Sequence, residues 1–293
     1  MDKDALLTAV SGYKPRSGGR CLSAAQFGRL AVYAGLISQG LREAYLVDGM
    51  SLDAPGAAQA LRDISPRMEL SVVQLGEDNL VLILTSVLLD KIAALKEHGA
   101  SSSFPLYVSV DQSPALPPHA PRLLGEEEMQ RIWGCLYAAT TTMNKVLRDP
   151  SSRAQRVHGF DDLDYVERVA GLSFVAGWLL GYPCVYHSIA SDGLGGTLLS
   201  MQVLRKYSIT ATLASDIGRL RGSKGPIVDL SEFSVPLCIL EPLSLDKALS
   251  ELLAERVRTL ECRIQELGRP CCLLEMGAVR VESQDFELPH VMI

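Results

Sequence analysis

Asp48, Asp111 and His187 stand where an α/β sheet would place its chemistry. Asp48 follows the apolar run Ala44 to Val47, Asp111 follows Phe104 to Val110, and His187 closes the run that starts at Cys184. In an open α/β sheet ligands bind beyond the carboxyl ends of the strands, so the residues just after strands are the first to consider. If the strands before Asp48 and Asp111 are parallel neighbours, the two carboxylates converge on one crevice. There they can hold a divalent ion or divide acid and base roles, with His187 joining them. The plainer reading is that both aspartates make turns or caps, as aspartate after a strand often does.

More specific constellations do not form. Ser191 to Gly196 is glycine-rich, but it lacks the spacing of a dinucleotide loop and reads as a hairpin turn. No glycine-lysine-serine or glycine-lysine-threonine triplet occurs, which removes the Walker phosphate loop. Gly171-Leu172-Ser173 begins like a nucleophile elbow, yet the next glycine is Gly177 and Ser173 falls inside a helical pattern. Cys184 and His187, an odd number of positions apart on one strand, point to opposite faces. His98, His119, His158, His187 and His290 are scattered, without a Cys-x-x-Cys partner. The spacing therefore predicts neither a cofactor site nor a metal site.

The element that must position His187 is the stretch Asp161 to Ser188. Leu163, Val166 and Ala170 recur at helical spacing, and from Val169 to Leu180 the chain is apolar or small all round, the pattern of a covered helix. The run is shorter than the about 20 residues a membrane span needs. Ala170, Ser173 and Gly177 form a small-residue stripe that admits a close neighbour, Gly181 suits the cap, and Pro183 leads into a strand through Tyr186.

The other elements follow in chain order. Ser23 and Gln26 predict a capping box, with Leu22 and Phe27 as its staple, for a helix ending at Gly40. Ala44 to Val47 reads as a strand, Ala54 to Ile64 as a helix and Met68 to Leu75 as a strand. Leu80 to Leu84 fits a central strand before a helix from Val87 to His98, or else one continuous helix from Asn79. A single helix is expected from Glu126 to Arg148, then a polar link from Ser151 to Gly159. After the turn at Ser191 to Gly196, a returning strand is expected at Thr197 to Leu204 and another at Ile209 to Leu213. Phe233 to Leu240 reads as a strand, Ser244 caps a helix to Leu267, and Cys271 to Met276 with Ala278 to Glu282 reads as a final hairpin. The sum is an α/β (or α+β) fold: a mixed sheet covered by helices, with β-hairpins in the C-terminal half. One domain over residues 1–293 is expected, with residues 112–122, which hold Pro114, Pro117, Pro118 and Pro121, as the place where it could divide.

Composition narrows the partners. Lys and Arg number 28 against 34 Asp and Glu, a formal charge of -6, which argues against a nucleic-acid face. The hydrophobic share of 47% and charged share of 21% fit a folded globular chain. The opening MDKDALLTAV is acidic and too briefly apolar for a signal peptide, and seven cysteines without framework spacing fit a reducing compartment. A soluble protein of the cytoplasm or nucleus is expected, with reduced cysteines and no membrane contact. The leading functional expectation is a non-catalytic role through an unidentified protein partner. The alternative is a small-molecule or metal-dependent enzyme or binder, with carboxylates at the strand ends.

Three stretches resemble a known family. They are Leu46-Val47-Asp48-Gly49, then Trp178 to Pro183 followed by Val185-Tyr186, and Phe233-Ser234-Val235-Pro236. Together they resemble the uncharacterised eukaryotic chromosome 1 open reading frame 74 family, with Val47 where that family would have a tyrosine. The resemblance implies a soluble intracellular protein and supplies no established activity, fold assignment, cofactor or catalytic residue.

Overall fold

The computed structural model describes residues 2–13, 22–47, 50, 52–76, 79–96, 105–110, 121–149, 156–188, 203–218, 227–275 and 279–287. Helix α1 (Lys3–Gly12) leads to α2 (Ala24–Ser38), whose start is the reciprocal capping box: Ser23 Oγ accepts from Gln26 N at 3.2 Å, and the Gln26 side chain accepts from Ser23 N at 2.9 Å. The next elements are β1 (Ala44–Val47), α3 (Ala54–Ile64), β2 (Leu70–Leu75), β3 (Asn79–Leu84) and α4 (Thr85–Lys96). Then come β4 (Leu106–Ser109), β5 (Arg122–Leu123), α5 (Glu126–Ala139), α6 (Thr141–Arg148), β6 (Val157–Gly159), α7 (Leu163–Val169), α8 (Leu172–Leu180) and β7 (Cys184–His187). The C-terminal part holds β8 (Val203–Thr212), α9 (Ser215–Gly218), β9 (Ile227–Pro236), α10 (Leu237–Leu240), α11 (Leu245–Cys271) and β10 (Arg280–Glu287).

These strands form three sheets, in the orders β1-β3-β2-β6, β5-β4-β7 and β10-β8-β9. The pairs β2–β6 and β4–β7 are parallel and the rest antiparallel, so the first two sheets are mixed and the third is an antiparallel ribbon. Strand alternation divides the interior into two cores. Tyr45, Val47, Val72, Leu82, Val108 and Cys184 face one core, with the helices α1 to α3, α11 and the third sheet. Ala44, Val73, Val81, Ile83 and Val185 face the other, with α4, α5, α7 and α8. The fold is α/β with antiparallel strands in the C-terminal half.

Leu80–Leu84 resolves to the strand. It is buried because β3 pairs with both β1 and β2, which is why its run is apolar without alternation. The helix expected across Asp161 to Leu180 is two helices. Gly171 takes φ 77 between α7 and α8, and a Cβ there would run into the Ser188 carbonyl, so the corner requires glycine. The helix expected from Glu126 to Arg148 also divides. Thr140 leaves helical geometry and its Oγ1 donates to Leu136 O at 2.9 Å, while Asp161 Oδ2 accepts from Thr142 N at 3.1 Å and so caps α6.

Further departures lie in pairing. The polar link ends in β6, tied to β2 by Val72 N donating to Arg156 O at 2.6 Å. β7 pairs with β4 rather than with β8, so the strand that follows it belongs to another sheet. Residues 203–212 form one strand instead of parts of two, and Leu237–Leu240 is a helical turn after Pro236. The final hairpin does not form: Cys271 closes α11, Leu274 bridges to Leu213, and β10 pairs with β8. The turn at 191–196 and most of the proline-rich stretch, 112–120, lie outside the described residues.

The two ends of the fold are tied by Gln39. Its buried side chain donates from Nε2 to Cys271 O at 2.7 Å and accepts at Oε1 from Leu273 N at 3.2 Å, and Arg263 Nε donates to its carbonyl at 2.9 Å.

Candidate functional site

The carboxyl ends of β4 and β7 carry a row of polar residues. In register, Arg122 pairs with Ser109 and Ser109 with His187, so the three side chains leave the same face of the sheet. Glu128, in the first turn of α5, takes the Arg122 guanidinium on both oxygens at 2.7 and 2.6 Å and accepts from Gly125 N at 2.9 Å. The Arg122 guanidinium holds the Glu128 carboxyl down to about 2.

His187 is 3% exposed. Its Nε2 lies 3.0 Å from Val169 O at the end of α7, and its ring meets the edge of Phe174 at 6.2 Å. A carbonyl only accepts, so Nε2 carries the proton. This side of β7 is a closed junction that seats the corner between α7 and α8. Asp48 and Asp111 lie outside the described residues. The strands before them belong to different sheets: β1 pairs with β3, antiparallel, and β4 pairs with β5 and β7.

The other face of β7 carries Cys184 and Tyr186, so Cys184 and His187 do leave opposite sides. Here β7 and β1 are the terminal strands of their sheets, and a cleft of about 350 Å³ opens between them, beneath α8 and beside the third sheet. Ser173, Ala176, Gly177 and Leu180 line it as a single stripe of α8, spaced three and four apart. The small residues bring the helix close: a Cβ on Gly177 would lie 3.1 Å from Val185 Cγ1.

The wall opposite is polar. Lys206 pairs in register with Ser234, and Ser208 with Glu232, which puts Lys206, Ser234 and Glu232 on one face. Lys206 Nζ sits 2.8 Å from Glu232 Oε2. The reverse face is taken up by α11, where Arg205 meets Asp246 at 3.0 Å while also pairing with Asp285 of β10 at 2.7 Å. Tyr186 bridges β7 to this sheet, its hydroxyl donating to Ser234 O at 2.9 Å. Burial pushes the Cys184 thiol and the Tyr186 phenol upward, so neither ionises near neutral pH. The cleft is thus furnished to bind, and neither buried group is primed as a nucleophile or base.

The C-terminal end of α8 fixes this wall. Gly181 caps it at φ 69, Lys91 Nζ donates to Trp178 O at 2.9 Å and Arg256 Nη1 to Gly181 O at 3.1 Å. Cations suit the negative end of a helix, and Glu43 pairs with both of them. A Cβ on Gly181 would clash with the Glu43 carboxylate.

Residues 15–259 match a family described as a domain of unknown function, DUF4504. The chain belongs to that family. No curated protein and no solved structure matches it. Among the described residues no group of three His, Cys, Asp or Glu could hold a metal ion, and no helix is long and apolar enough to cross a membrane.

Sequence reasoning missed Lys206, Glu232 and Ser234, because they meet only when β8 pairs with β9. One signal was present: Lys206 and Ser208 alternate with the apolar Tyr207 and Ile209, which gives that strand a polar face. A second was the resemblance itself. Leu46, then Leu180, Tyr182, Val185 and Tyr186, then Phe233 and Ser234 come from its three stretches, and all of them line the cleft.

Proposed function

We propose that this protein binds a small amphipathic molecule in the cleft between α8, β7 and the third sheet, as a binder rather than through catalysis by the cleft. One observation carries the reading: an apolar floor from Leu46, Ala176 and Leu180 faces a wall of the third sheet where the Lys206–Glu232 pair stands beside Phe286, in about 350 Å³. Ligand sites are commonly concave and largely apolar, with a few placed polar groups and volumes of about 300 to 1,000 Å³. The raised thiol and phenol argue for binding over covalent chemistry. The convergence of the three stretches on this cleft supports the finer kinship with the chromosome 1 open reading frame 74 family.

The test is a thermal-shift panel of amphipathic metabolites on the wild type and on Ala176→Phe, which fills the cleft. A ligand at 100 times its dissociation constant adds about 2.7 kcal/mol, a rise of several degrees. A rise in the wild type that Ala176→Phe abolishes is expected. No rise across the panel, or an equal rise in the variant, rejects the cleft and returns the protein-partner role to first place.

A further inference from the structure

The ion pair at the cleft decides which head group the ligand carries. Resting on the binding role proposed above, we infer that the ligand is a carboxylate with an apolar body, its head taken by Lys206 and its body laid along Leu46, Ala176, Leu180 and Phe286. The two halves of the Lys206–Glu232 pair are not equivalent. Lys206 stands on β8, the central strand of its sheet, hemmed by β9 and β10, and its side chain is 39% exposed. Glu232 stands on β9, an edge strand, and its side chain is 49% exposed. An incoming carboxylate can therefore replace Glu232 on the ammonium while Glu232 turns outward into water. A cationic head would instead have to displace Lys206, whose strand is flanked on both sides.

One further feature favours an anion at this wall. Ser173 opens to the cleft from the first turn of α8, where unpaired backbone N–H groups give a partial positive charge. The Tyr186 hydroxyl spends its proton on Ser234 O, so the head group must take its donors from Lys206 and α8. The negative groups that oppose an anion beside Lys206 are Glu232, which the ligand displaces, and, next along that face on β10, Glu282, which is exposed and screened by solvent. Exchange of one carboxylate for another keeps the ammonium paired throughout, so the desolvation cost of binding is that of the ligand head alone.

The test compares decanoate, decanol and decylammonium by isothermal titration calorimetry on the wild type, Lys206→Met and Glu232→Gln. Circular dichroism and the melting midpoint check that both variants fold. Decanoate is expected to bind about tenfold more tightly than decanol, because only the carboxylate can take Glu232's place on the ammonium while Glu232 regains its hydration. Lys206→Met should erase that advantage, and Glu232→Gln should strengthen decanoate binding by removing its competitor. Equal or tighter binding of decanol or decylammonium overturns the head-group assignment while leaving the cleft in place. So does a Glu232→Gln variant that binds decanoate more weakly. If none of the three probes binds, the cleft itself is rejected and the carboxylate with it.

Discussion

Val185 and His187 leave one side of β7, Cys184 and Tyr186 the other, and the two sides are finished by different means. On the first, the His187 ring is shut against Phe174 and spends its proton on a backbone carbonyl. On the second, Tyr186 reaches across to Ser234 and leaves about 350 Å³ of space beside an ion pair that water already touches. A histidine at a strand end looks like chemistry in one dimension. Its partners make it a hinge pin, whereas Lys206, a lysine in mid-strand, faces the open space.

The largest way to break the closed side is Gly171→Ala. Positive φ and the Ser188 carbonyl both oppose a side chain there, and a loss of about 3 to 5 kcal/mol is expected by urea denaturation. An unchanged midpoint would mean that the corner is looser than its geometry implies. His187→Leu sharpens the contrast with less damage. Losing the bond to Val169 O should cost about 1 to 3 kcal/mol, with no change in ligand affinity once the variant is folded. A fall in affinity without a fall in stability would transfer His187 from scaffold to site.

The smallest effect comes from Glu128. Its folded carboxyl is held below the usual 4.5, at about 2, so the stabilisation is present above about 4.5 and is lost as pH falls toward about 2. Arg122 is exposed and Glu128 is 34% exposed, so solvent screens much of it. The acid limb of the melting curve should flatten slightly in Arg122→Gln. A limb identical to the wild type would show that the pair contributes nothing to stability.

Local signals carried much of the fold. Ala44–Val47 and Ala54–Ile64 appear with the boundaries their patterns predict, and the Ser23–Gln26 box forms as read, because each depends on neighbours within a turn. Most of the failures are tertiary. Gly171 sits in an apolar run whose periodicity does not register a corner made necessary by Ser188, and β6 is three residues long and exists through Val72. Strand partnership was equally hidden: β7 follows α8 closely but pairs with β4, and the cleft assembles from residues as far apart as Leu46 and Phe286. Of the site residues weighed beforehand, His187 was correctly placed at a strand end, but the reading had no access to the carbonyl that occupies it.

Gln39 adds a matter of timing. Its side chain waits for Cys271 and Leu273, 232 and 234 residues further on, and a ribosome adding about 5 to 20 residues per second needs about 10 to 50 s to deliver them. Through that interval the end of α2 holds a polar amide at what will become the interior, hydrated and unlatched. This latch between α2 and the end of α11 can close only after residues 271–273 have been made.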